Sequence, residues 1–227
     1  MESIKQIKIG PVTLAYVQEG EGKPVILVHG NGEDHRLFRT EIPQLVEAGY
    51  RVYAPDSRGH GQSSPVQAYH YAEMAEDVYQ FIRALGLEKP AYYGHSDGGI
   101  IGLLLALNHP DALGIMAISG TNLMPEGIDA SFLEETRRWH EKEPNPLLEL
   151  MLTEPHIEPE SLSTIEIPVL VTAGENDLIL REETERIAAH LPQGEMRIVP
   201  GADHGSYLDG SPLMGSMLLH FFRDHGY

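Results

Sequence analysis

The chain has no cysteine. Disulfides, thiolate nucleophiles and sulfur-ligated metals are therefore outside its chemistry. It is also poor in cations: 16 lysines and arginines stand against 34 acids, a formal net charge of −18. No basic run offsets that excess, so neither a nucleic acid nor an anionic membrane surface is expected as a partner. Polyanionic substrates would meet an unfavourable field, whereas neutral or cationic small molecules would not. Long apolar runs are missing too. The longest, residues 98–107, is too short to span a bilayer, and the opening "MESIKQIKIG" lacks the apolar centre of a signal peptide. A cytoplasmic location is the expectation. No two histidines show metal-ligand spacing beside a carboxylate, so no metal is expected. Nothing points to a cofactor, and the oligomeric state is open.

The 227 residues suffice for a real hydrophobic core. "IKQIKI" and "VTLAYV" alternate about Gly10-Pro11 and predict a hairpin. "VILVHG" is an apolar run ending in glycine, as in a strand buried on both faces. Helical spacing over "LFRTEIPQLVEAG" predicts one helix with Pro43 in or near its first turn. A strand "RVYAPD" and a long amphipathic helix over "YHYAEMAEDVYQFIRALG" follow. Next come a strand "AYYG" and a helix "GIIGLLLALNHP" so apolar that it must be packed on a sheet and covered. "GIMAIS", "PVLVTAG" and "EMRIVP" are further strands. "REETERIAAHL" is a helix, and "SPLMGSMLLHFF" closes the chain, with Ser211 as its cap and Pro212 at its first position. Strand–helix alternation makes this an α/β protein with a mostly parallel sheet. Residues 121–166 break the rhythm with five prolines, an acid excess and two short helices, "SFLEETRRWHEKE" and "PLLELML". An insertion at this place sits over the carboxyl edge of the sheet, where open α/β folds bind ligands.

That edge collects the reactive residues. "YGHSDGG" matches G-x-S-x-G, the sharp strand-to-helix turn that exposes a serine above a sheet. A serine hydroxyl needs a base, a group to orient the base, and donors for the oxyanion. Candidates follow later strands in the order serine, acid, histidine: Glu175 and Asp177 in "ENDLI", then Asp203 and His204 in "GADHGSY". Of the 12 histidines, His70, His109, His140 and His190 lie on helices or helix ends and suit the surface. His29 and His95 sit at strand ends beside glycines, where they suit hydrogen bonding to loop backbone. Asp97 follows Ser96 directly. Its carboxylate either caps the helix start or faces the pocket, where it would bind a cationic group.

Five segments in register, "HGNG", "DSRGHGQSS", "GHSDGG", "GENDLI" and "GADHG", resemble the α/β-hydrolase fold family over essentially the whole chain. The resemblance implies a mostly parallel eight-stranded sheet flanked by helices, a core of 1–120 and 167–227, and a small helical lid over 121–166. It implies Ser96 as nucleophile, His204 as general base then acid, and Asp177 as the residue that orients His204. The oxyanion hole falls to the backbone N–H groups of Asn31 and Asp97, and Asp56 and Arg58 are scaffold. Relatives that open epoxides or displace halide use aspartate where this chain has Ser96. Serine implies acyl transfer to water: hydrolysis of a small carboxylic ester, or alternatively of a carbon–carbon bond in a small diketone or dienoate. A slow-turnover small-molecule receptor on the same fold is the non-enzymatic alternative. The Ser-Asp-Gly-Gly string is also similar to valacyclovir-hydrolase-type members, in which the aspartate recognises an amino group. Trp139, Phe132, Leu133 and Leu147 are candidate lid residues for the pocket, with Trp139 a candidate substrate contact.

Overall fold

In the computed structural model, residues 3–227 are described; Met1 and Glu2, the first two residues of the expected core, lie outside them. Strands β1 (Ile4–Ile9) and β2 (Val12–Glu19) form the expected hairpin, with Ile9 opposite Val12. Gly10 makes its turn at φ 52°, where a side chain would be strained. Six further strands follow: β3 (Lys23–Val28), β4 (Tyr50–Pro55), β5 (Ala91–His95), β6 (Ile115–Ser119), β7 (Val169–Gly174) and β8 (Gly194–Val199). They join one sheet in the order β1-β2-β4-β3-β5-β6-β7-β8. β2 runs antiparallel to both of its neighbours, and the six strands from β4 to β8 across the sheet are parallel. The strand order reverses between β3 and β5, so the crevice beyond their carboxyl ends is the topological switch point.

Side-chain alternation along the strands splits the core into two layers. Ile26 and Val28 of β3 join the cluster under α2 (Tyr71–Leu85) and α3 (Asp97–Asn108). Val25 and Leu27 join the cluster under α1 (Glu41–Glu47) and the C-terminal helix (Leu213–Asp224). The apolar helix α3 is buried along most of its length, as its composition requires. In residues 121–166, α4 (Ala130–Lys142) and α5 (Pro146–Thr153) stand where helices are expected, between short 3-10 turns. Asp129 and Asn145 cap them through their side-chain oxygens, and Pro146 occupies the first turn of α5. α6 (Arg181–His190) lies between β7 and β8, and α7 is the C-terminal helix. Among the described residues no helix is long and apolar enough to cross a membrane.

Two boundaries differ from expectation. The helix expected over residues 37–49 is split: a 3-10 turn spans His35–Phe38, and α1 begins at Glu41. Pro43 has no N–H to bond the Arg39 carbonyl, so the α-helix starts with Pro43 in its first turn. At the C-terminal helix, Pro212 is the cap position rather than the first helical residue, and Ser211 Oγ accepts from the Leu213 amide at 3.3 Å.

Candidate active site

β5 ends at His95, and the chain turns into α3 through Ser96, which has φ 52° and ψ −116°. Among the described residues only two non-glycine residues have positive φ, and Ser96 is one. Such strain persists where the surroundings over-determine it. Here the Ser96 amide donates to the Ser119 carbonyl at 2.8 Å, and the Ser96 carbonyl accepts from Gly99 at 2.8 Å. A side chain at Gly94 would run into the Gly98 backbone, and one at Gly98 into the Val28 carbonyl. The glycines therefore let the elbow close against the end of β3.

The loops after β7 and β8 are laced together. Glu175 N donates to Val199 O at 2.9 Å and Asn176 N to Ala202 O at 2.8 Å. This lacing brings Asp177 to His204, whose Nδ1 lies 2.7 Å from Asp177 Oδ1. Asp177 also accepts from the amides of Ile179 at 2.9 Å and Gly174 at 3.1 Å. Burial opposes its charge. The His204 hydrogen bond and charge, with the two amides, overcome that penalty and hold the carboxyl below its ordinary value. Nδ1–H is thereby committed to Asp177, which leaves Nε2 as the proton acceptor. Gly120, after β6, has φ 56°, and a Cβ there would lie 2.6 Å from the His204 ring. Ser96 Oγ makes no direct hydrogen bond to His204 among the described residues, but both side chains line one cavity. Such contacts commonly tighten on substrate binding. Of the other candidate acids, Glu175 accepts from the Gly201 amide and Asp203 from the amides of Gly205 and Ser206; both stabilise their loops.

The "HGNG" loop has its amides sorted. Gly30 N donates to Glu33 Oε2 at 2.9 Å, and Gly32 N donates to His60 Nε2 at 3.2 Å. Between them, the Asn31 amide has no protein acceptor among the described residues, and neither has that of Asp97. Two unpaired donors beside a strained serine are what an oxyanion hole requires. His29 hydrogen-bonds the Gly30 carbonyl through Nδ1 and the Ser57 amide through Nε2. Burial pushes it down to about 4, so it is neutral scaffold. His95 is buried against the His204 ring at 4.8 Å, bonded to Ser119 Oγ; burial, then His204, push it down to about 3. Asp56 accepts from the amides of His35 and Gln62, and Arg58 forks onto Asp77 at 2.7 and 2.9 Å. Both act as loop scaffold.

The cavity above Ser96 has a volume of about 190 Å³. Phe132 of α4, Met151 of α5, Ile128, Leu178 and Ile179 form its apolar wall, and Asn122, Tyr71, Glu33, Asp97 and Glu154 supply polar groups. The Asp97 carboxylate belongs to this wall and does not cap α3: Oδ1 accepts from Tyr71 OH at 2.8 Å and Oδ2 from Asn31 Nδ2 at 3.0 Å. Burial pushes its carboxyl up, against the pull of those two donors. Trp139 is not brought to the cavity. It is 52% exposed on the outer side of α4, because the face toward the body carries Leu133 and Thr136. Leu133, on the inner face of α4, packs with Ile128 and Ile179, and Leu147 contributes its carbonyl, which accepts from Asn31 Nδ2 at 3.2 Å. Glu33, Tyr71 and Glu154 escape sequence reasoning. Glu33 is signalled only by lying three residues beyond Gly30, and Tyr71 and Glu154 belong to no motif.

A model of the alpha/beta hydrolase fold matches residues 23–160. The bifunctional epoxide hydrolase 2 of Sus scrofa is 34% identical over 126 residues, 54% of this chain and 23% of that protein. The chain thus spans about a quarter of the length of that relative. The serine hydrolase BPHL of Homo sapiens is 27% identical over 236 aligned positions, covering 89% of this chain and 80% of that protein. Among solved structures, a thermophilic esterase from Thermogutta terrifontis superposes with a TM-score of 0.82 at 22% identity, covering 98% of each chain. At that identity the likeness concerns the fold.

Proposed function

The chain belongs to the alpha/beta hydrolase fold family, and from that premise we propose that it is a serine hydrolase of small carboxylic esters working through an acyl-enzyme. The observation that carries this reading is the 2.7 Å contact of His204 Nδ1 with the buried Asp177, in a cavity shared with Ser96. In the first half-reaction His204 Nε2 takes the Ser96 hydroxyl proton as Oγ attacks the ester carbonyl. The amides of Asn31 and Asp97 receive the oxyanion, and Asp177 stabilises the imidazolium. The imidazolium then gives its proton to the departing alkoxide, leaving an acyl group on Ser96. Water, deprotonated by the same nitrogen, completes the cycle and releases the acid.

Three features support the substrate class. Serine at the elbow suits acyl transfer rather than the alkyl displacement that opens an epoxide or expels halide. The cavity is small beside the ~300 Å³ or more typical of ligand pockets. Its lining holds Glu33, Asp97 and Glu154 and neither lysine nor arginine, which suits neutral or cationic substrates. Segment 121–166 serves in this reading as a small lid. Ser96→Ala should abolish turnover of short-chain aryl esters while the protein stays folded; retained turnover would defeat the assignment.

A further inference from the structure

The two residues whose amides face the reacting carbonyl are also joined through their side chains. Asn31 Nδ2 donates to Asp97 Oδ2 at 3.0 Å, across a gap between the loop after β3 and the start of α3. Among the described residues no backbone hydrogen bond of Asn31 or Asp97 spans that gap. The flanking amides of Gly30 and Gly32 are fixed by Glu33 and His60, which orients the loop. The side-chain bond ties the two residues directly, in addition to the β3–β5 pairing and the close packing of Gly98 on Val28. Asp97 in turn is held from its other oxygen by Tyr71 OH at 2.8 Å.

Electrostatics make this placement informative. A carboxylate beside a developing oxyanion raises the barrier unless something offsets it. Asp97 is 4% exposed, so water does little of the screening. Its two side-chain donors disperse its charge: the Tyr71 hydroxyl bonds Asp97, and Asn31 Nδ2 is shared between Asp97 and the Leu147 carbonyl. We propose that the Asp97 carboxylate is a positioning residue that braces the oxyanion hole by tying the Asn31 side chain to the nucleophile elbow. The inference rests on the serine-hydrolase reading above. It assigns Asp97 a role on every ester, whatever charge the substrate carries.

The test uses matched short-chain esters with and without a free α-amino group, and requires first that Ser96→Ala be inactive. If Ser96→Ala keeps turnover, the serine-hydrolase reading fails and the brace falls with it. With Ser96→Ala inactive, the Asp97 variants alone decide. Asp97→Ala should lower kcat by roughly 10- to 100-fold on both ester classes, the scale of a misplaced reacting group, with KM within about twofold. Asp97→Asn should recover most of that loss, since its amide oxygen still accepts from Asn31 and its NH2 can donate to the Tyr71 hydroxyl. Loss confined to amino-bearing esters in both variants would instead make Asp97 a direct cation contact and overturn the proposal. So would an undiminished kcat in Asp97→Ala. Asn31→Ala removes the other end of the bond and keeps the backbone amide, so it serves if Asp97→Ala fails to fold. It should give a similar kcat loss on both ester classes, and the double variant should lose no more than either single. Additive losses would count against the brace.

Discussion

At the carboxyl edge of the sheet, Asp177 has a buried side chain with three donors: His204 Nδ1 and the amides of Gly174 and Ile179. At the start of α1, the Glu41 side chain is buried too, yet neither of its oxygens has a hydrogen-bond partner among the described residues. Asp177 is held below its ordinary value, whereas burial pushes Glu41 up to about 8 against a partial pull from nearby amides. Similar side-chain burial thus gives opposite charge states at neutral pH, and the difference lies in the donors. The edge of the sheet offers loop amides and a histidine. The start of α1, packed with Phe38 and Ile42, offers mostly apolar contact.

Removing the better-supplied acid should have the larger effect. Asp177→Ala should lower kcat on short-chain esters by ~10²–10⁴-fold, because His204 loses both its orientation and its counter-charge. A loss below about tenfold would break the contrast, since Asp177 would then be as dispensable to catalysis as Glu41. Next in size, Gly120→Ala should lower kcat by ~10- to 100-fold by pushing the His204 ring off Asp177, measured beside a thermal melt to separate strain from displacement.

Glu41 should show itself in stability instead. Its folded-state value is raised from 4.5 to about 8, so its contribution is full below pH 4.5 and is lost as pH rises through about 8. Glu41→Gln removes that dependence. The stability of the wild type relative to the variant should therefore fall between pH 5 and pH 8 by roughly 4 kcal/mol at most, read as a difference of several degrees in melting temperature. Parallel pH profiles would contradict the assignment. Asp177 has the opposite sign: its contribution is present above the ordinary value of 3.8 and is lost as pH falls through the lower folded value. The smallest effect is expected at Trp139. Trp139→Ala should leave kcat/KM within about twofold, because the side chain lies outside the cavity.

The same contrast shows what a sequence can reveal. Ser96, Asp177 and His204 each follow a strand in the parallel part of the sheet, so one-dimensional order already places them on one edge. Strand alternation likewise separates the two core layers at Val25 and Ile26. The split near Arg39 was legible only as a constraint on Pro43, since a proline tolerated in a first turn does not say where that turn begins. Trp139 faces outward because the inward face of α4 is set by Leu133 and Thr136, a choice that its strongly charged sequence does not mark. The hydrogen bonds of Tyr71 with Asp97 and Glu154, and of Asn31 with Asp97, depend on approach between elements far apart in the chain. No local pattern encodes such approach. The Asp97 carboxylate is the sharpest case. Its local sequence allows either capping of α3 or a place facing the pocket, and its position in the wall with two donors depends on how α2 and the loop after β3 lie beside the elbow.

Orientation by Asp177 lets His204 activate Ser96. Labelling with a fluorophosphonate probe, followed by mapping of the modified peptide, reads that activation. A single modification at Ser96 is expected, slowed at least ~100-fold in His204→Ala. Modification at another residue, or labelling of Ser96 undiminished in His204→Ala, would contradict it.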